Sequence, residues 1–364
     1  MKKFIITILV ICIVGYFGRI DKEILDDLDI VTAVGYDYKG KRKIEATVVS
    51  PIINPDKSIS NKTISSVGKM SKEALYFLNQ KSPNPVVNGK IEVALFSEKL
   101  AKTRGVQNYI DYVHRDPSIG TRLILAVVDG NVKKMLGESF KDFDSGTYIQ
   151  KQIDQNTKNG FIPTNNLHLF LSAYYTEGAD PILPIIELRG KKINIKGLAF
   201  FKGSKMVDSI PYRSMFAFKS IYENIENAGY TLKTKDKGKT EYVSIQGIRT
   251  TKVYRVKNEQ TTPEITLRLG IKGFLREYTG DKVNQELIDK SEKIMAKKVE
   301  KDAEALIRRF QKKGIDPLAW GEQTRSRTRH WDQKKWDQQY KNLKINVEVD
   351  VSIFEIGIVD GSPF

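Results

Sequence analysis

The strictest constraint on this chain is a change of hydrophobic period. Near the C-terminus Ile345, Val347, Val349, Val351 and Ile353 alternate with Lys344, Asn346, Glu348, Asp350 and Ser352. Successive side chains of a strand point to opposite faces, so this stretch belongs in a sheet with one face buried and one wet. Ile265, Leu267, Leu269 and Ile271 carry the same two-residue period. Between them, residues 284–313 switch to helical spacing: Leu287, Ile294, Val299, Ala303, Leu306 and Phe310 form an apolar stripe, and Gly314 supplies a stop.

The upstream chain mixes the same two periods. Strands are expected at 30–34 and 44–49, joined through Tyr38, Lys39 and Gly40, and then a loop over 51–66 containing Pro51 and Pro55. A helix from about Ser66 carries Ala74, Leu75 and Leu78 and closes before Pro83 and Pro85. Strand 91–96, helix 98–113, strand 123–128 and short helix 132–139 follow, then helices at 146–158 and 165–174. The tract Glu177, Gly178, Ala179, Asp180, Pro181 to Pro184 breaks the periodicity and marks a domain edge. Beyond it, strands near 193–201, 242–256 and 264–278 surround an amphipathic stretch at 212–225. The fold class is therefore α/β in the broad sense (α+β), with mixed or antiparallel sheets and packed helices. At 364 residues the chain is long for one core, and about 100–200 residues per domain suggests two or three.

Lys2 and Lys3 precede an apolar run of 14 residues, Phe4 to Phe17. As a helix it spans roughly 21 Å, short of the ~30 Å hydrocarbon core, so it reads as an export signal or membrane anchor over 1–20. Cys12, the only cysteine, follows Ile11 and is a poor candidate for lipidation. A single cysteine also removes disulfides and Cys-based zinc sites.

The net charge of +16 calls for an anionic partner or a solvated basic face. Residues 290–344 hold 16 Lys or Arg against 8 Asp or Glu. Arg325, Arg327, Arg329, Lys334 and Lys335, with His330, Trp331 and Trp336 among them, suit a membrane or partner contact. A solvated helix face with both tryptophans turned into the core is the alternative. No nucleic-acid-binding signature accompanies them, and no nucleic-acid partner is expected.

Catalytic and cofactor motifs fail on their details. Gly35 to Arg42 fits GxxxxGK, but Arg42 stands where Ser or Thr would hold magnesium and a strand follows where a helix is needed, so a hairpin turn is expected. His114, His168 and His330 lie far apart, without metal-site spacing. Adjacent carboxylates such as Asp26 and Asp27 suit solvated loops, and no GxSxG elbow occurs. No catalytic, cofactor or metal residue is assigned. An exported cell-envelope hydrolase with carboxylates distant in sequence, and a polyanion-binding surface protein, stay open as alternatives.

Glu23, Ile24, Leu25, Asp26, Asp27, Leu28, Asp29, Ile30, Val31, then Gly35 and Asp37, form one pattern. Glu177 to Pro181 with Pro184, followed by Gly197 to Phe201, form a second; Gly314, Ile315, Asp316, Pro317, Trp320, Trp336 and the strand 347–353 with Gly357 form a third. In this order the chain resembles the C-subunit family of spore germinant receptors, the Ger(x)C family, nearly end to end. The resemblance implies three successive α/β domains (21–190, 191–278, 279–364) and a non-enzymatic role. It implies assembly with two membrane-embedded receptor subunits on the outer face of the spore inner membrane, in nutrient-triggered germination, and leaves a small-molecule germinant open. The family's lipidated cysteine is replaced: Gly15, Tyr16 and Phe17 stand at the usual Gly-Cys-Trp, so no lipidation is expected.

Overall fold

A computed structural model describes residues 27–236, 238–257 and 262–355. The expectations for the segment 1–20, Cys12, Tyr16 and Asp26 fall outside these residues. In chain order the first part contains β1 (Asp29–Ile30), β2 (Ala33–Tyr38), β3 (Ile44–Ile53), β4 (Ile59–Gly68), α1 (Ser71–Lys81), β5 (Val86–Val87) and β6 (Val93–Ser97). Next come α2 (Glu98–Thr103), α3 (Gln107–His114), β7 (Ile124–Asp129), α4 (Val132–Leu136), α5 (Ser145–Lys158) and α6 (Leu167–Tyr175). Then follow β8 (Ile182–Arg189), β9 (Lys192–Lys202), β10 (Lys205–Pro211), α7 (Met215–Tyr222), β11 (Tyr230–Asp236), β12 (Lys239–Lys257) and β13 (Glu264–Tyr278). The C-terminal part is α8 (Gln285–Lys313), α9 (Trp320–Arg325), α10 (Gln333–Tyr340) and β14 (Lys344–Glu355).

The fold is mixed α/β with several sheets. The largest has eight strands in the order β10-β9-β8-β7-β6-β2-β3-β4. Its middle, β2, β6, β7 and β8, is parallel, and each side is finished by antiparallel strands. Parallel strands are covered on both faces, which is why every residue of β6 is buried. On one face lie residues of α1, α2, α3 and α6 with Tyr36, Phe96 and Phe201. On the other lie α4, α5 and α7 with Leu95, Ile186 and Phe200. β8 and β9 pair as neighbours across residues 189–192, so this sheet takes strands from both sides of residue 190.

The second sheet runs β11-β12-β13-β14. β13 and β14 are parallel, joined by a long crossover that includes α8, whose stripe covers the apolar face of the sheet. Asn284 caps α8 by accepting from the Leu287 N–H at 2.9 Å, and Gly314 ends it in the left-handed region at φ 64°. Leu306 and Phe310 leave the second sheet's core and insert into the first, whereas Met295, Val299, Ala303 and Ile307 stay in the second. One helix therefore supplies both cores.

The structure corrects the expected loop at 51–66. β3 continues to Ile53 and pairs with β4 over its whole length, Ile53 opposite Ile59 and Ile44 opposite Gly68. Pro51 is tolerated because β2 pairs with β3 only as far as Val49, so its missing N–H is not needed by a central strand. α1 consequently starts at Ser71, after β4 ends. The single helix expected at 98–113 is two, parted at Gly105 (φ 76°), where a Cβ would meet Ser204 Oγ at 2.5 Å. β5, β8, β10 and β11 are further strands the periodicity did not suggest, β8 beginning within the tract 177–184 read as a break.

Candidate functional site

Two of the sequence patterns meet in one place. The Asp180 N–H donates to the Asp316 carbonyl at 2.9 Å, and the Asp316 N–H donates back to Asp180 Oδ2 at 2.7 Å. Asp316 Oδ1 and Oδ2 accept from the N–H groups of Trp320 (3.1 Å) and Gly321 (2.7 Å). The Glu322 N–H donates to the Gly178 carbonyl at 3.2 Å. The backbones touch: a Cβ on Gly178 would meet Gly321 Cα at 2.5 Å, and a Cβ on Gly321 would meet Gly178 Cα at 2.4 Å and Trp336 Nε1 at 2.7 Å. Only glycine fits at either position. Gly178 has the further requirement of a positive φ, 77°.

Burial dominates the electrostatics of this clasp. It pushes Asp316 up to about 7, against the opposing pull of the Gly321 and Trp320 N–H groups. It also raises Asp180, opposed by the Lys202 ammonium at 3.2 Å. Beside the clasp opens a cavity of about 610 Å³, walled by residues 174–180 on one side and by Lys312, Lys313, Trp336 and Tyr340 on the other. The Tyr340 hydroxyl is buried without a hydrogen-bond partner, and burial holds it well above its ordinary value. Lys202 and Tyr340 were not singled out from the sequence; Lys202 is the last residue of β9 and nothing local marks it.

The opening pattern has a similar explanation. Asp37 accepts from the N–H groups of Val132 (3.0 Å) and Lys133 (2.9 Å), capping α4 from another part of the chain. At Gly35 a Cβ would meet Val132 Cγ1 at 2.2 Å, so the glycine lets that helix lie against β2. Gly35 to Arg42 is a β-hairpin, as its failed phosphate motif implied.

The five cations singled out from the sequence lie together on the exposed segment 325–335. Arg325 ion-pairs with Glu322 at 2.7 Å, and an Arg327 guanidinium nitrogen donates to the Gln323 carbonyl at 2.5 Å. Arg329 is exposed. Lys334 and Lys335 begin α10, their N–H groups held by Asp332 Oδ1 at 2.9 and 3.1 Å. The aromatic residues among them turn inward: Trp336 is buried, and Trp331 packs on it at 5.6 Å. His114, His168 and His330 are exposed and apart. Among the described residues no cluster of three or more His, Cys, Asp or Glu is placed to hold a metal ion, and no helix is long and apolar enough to cross a membrane.

Two family models match the chain. One, the spore germination protein N-terminal domain, covers residues 21–188; the other, described as spore germination B3/GerAC like, C-terminal, covers 196–357. Spore germination protein GerQC of Bacillus cereus is 30% identical over 363 residues, spanning 99% of this chain and 100% of that protein. Spore germination protein B3 of Bacillus subtilis (strain 168) is 22% identical, covering 81% of each chain. The crystal structure of the GerBC protein superimposes with a TM-score of 0.53 at 17% identity, covering 88% of this chain and 96% of that one, which shows a shared fold. With both halves matched and a full-length relative at this identity, the chain belongs to the Ger(x)C family of spore germination proteins.

Proposed function

We propose that this protein is a subunit of a spore nutrient germinant receptor and acts by docking, without catalysis of its own. Its partners are two membrane-embedded receptor subunits, and its place is the outer face of the spore inner membrane, to which residues 1–20 direct it as an export signal or an anchor. The observation that carries the docking reading is how the family-marked residues are used. Asp37, Asp180 and Asp316 accept hydrogen bonds from the protein's own backbone, and Gly178 lets its backbone touch that of Gly321, a residue outside the family-marked set. Such residues shape a rigid body, and rigid bodies present surfaces.

An exported hydrolase would need a carboxylate pair free to exchange protons with a substrate. Asp180 and Asp316 line one cavity, but Asp316 would have to surrender two backbone N–H donors to act there. Nutrient-triggered germination tests the proposal. Spores without this chain should fail to respond to at least one nutrient and recover when the chain is restored; deletion spores that answer every nutrient at the normal rate would refute it.

A further inference from the structure

A second cavity, of about 630 Å³, lies on the face of the large sheet covered by α1, α2 and α3. The chain delivers five cations to it from separate elements: Lys69 and Lys72 around the start of α1, Arg104 after α2, Arg115 after α3 and Lys205 at the start of β10. Among the described residues none of the five has a carboxylate at ion-pair distance, unlike Arg309, which Asp208 holds at 2.6 Å. Asp111 is the one carboxylate on the lining, and its Oδ1 already accepts from Gln107 Nε2 at 2.7 Å.

Two further observations point inward, to a ligand. The half-buried Arg104 guanidinium lies against the Tyr109 hydroxyl, but its Nη1 is buried with no acceptor, and a buried donor left unpaired is costly. Ser71, only 8% exposed, opens the eleven-residue α1 and lines the same cavity. No side chain caps that helix at Met70, and its first N–H groups add positive potential to the same place, offset in part by Glu73 in the first turn, whose carboxylate accepts from the Lys69 N–H. Tyr109 and Tyr112 supply apolar wall.

The geometry points to a binding site for a phosphate-bearing ligand, its phosphate between Arg104, Ser71 and the start of α1. A phosphate monoester carries about 1.5 to 2 negative charges and three acceptor oxygens, which suits converging cations and an uncapped helix start better than a single carboxylate does. Free phosphate monoesters have this chemistry in full, and phospholipid headgroups such as that of phosphatidylglycerol offer the same phosphate as a diester with one charge and two free oxygens. The site is separate from the Asp180–Asp316 clasp and does not depend on the receptor reading.

The test measures binding of the full chain to inorganic phosphate, to glycerol phosphate, and to vesicles of phosphatidylglycerol against phosphatidylcholine. A triple variant, Lys72→Gln/Arg115→Gln/Lys205→Gln, changes only exposed side chains, so it retains the fold. It should bind the preferred probe about tenfold more weakly or worse, as loss of charge-assisted contacts implies, and Arg104→Gln should behave likewise. Preference for the soluble esters assigns a soluble ligand; preference for phosphatidylglycerol vesicles assigns a headgroup. Absence of binding to every probe overturns the site. So does an equal loss in the control Lys191→Gln/Lys192→Gln, two exposed cations at the end of β9 away from Lys205, which would reduce the effect to net charge.

Discussion

Asp316 couples its protonation to the fold. Its folded value is raised by burial from 3.8 to about 7, so the folded state holds a proton that the unfolded chain releases. Stability from this group is fully present below about pH 4 and is lost as pH rises toward 7. The gap in urea midpoint between the natural protein and Asp316→Asn should therefore change across that window, with the natural protein losing ground as pH rises; a constant gap from pH 4 to 8 contradicts the assignment. Gly321→Ala places a Cβ 2.4 Å from Gly178 Cα, and overpacking of this kind costs about 1–3 kcal/mol. Urea unfolding checks the loss, and an unchanged midpoint would mean that the clasp yields freely. Both motif halves were visible in the sequence, but their meeting was not, because 136 residues separate the paired aspartates and no local period records a tertiary contact.

At the scale of elements, α8 decides how the two sheets sit together. Phe310 is fully buried and lies edge-on to Phe200 at 4.7 Å and to Phe218 at 5.9 Å. Phe310→Ala should cost about 3–5 kcal/mol, the usual range for an aromatic removed from a core. Because α8 also packs on the second sheet, near-UV circular dichroism should show both parts losing structure together; two separate transitions with only one displaced would argue against a shared helix. This helix was legible beforehand because its stripe, capping Asn284 and stopping Gly314 agree with one another, and β13 and β14 because they alternate strictly. The β3–β4 ribbon was hidden by Pro51, Pro55 and its polar residues, since pairing along a ribbon edge needs no apolar alternation. The phosphate site was hidden more deeply: Lys69 and Lys205 lie far apart in the sequence and converge only when β10 pairs with β9 at the edge of the sheet.

For the whole molecule, the 325–335 segment and the cavity at α1 are two of the places where the excess positive charge gathers. Replacing Arg325, Arg327, Arg329, Lys334 and Lys335 by Gln should weaken attachment to anionic vesicles, at about 1 kcal/mol for each cation near the surface, as read by vesicle sedimentation at low and high salt. Unchanged attachment would leave that segment without a membrane role. The docking account needs more than a charged surface, because a receptor subunit has to be found with its receptor. Affinity isolation of the full chain from spore membranes, followed by identification of what is retained, tests this most directly. Two membrane-embedded receptor subunits should be recovered in constant proportion to the chain; recovery of the chain from intact membranes with neither subunit would contradict docking.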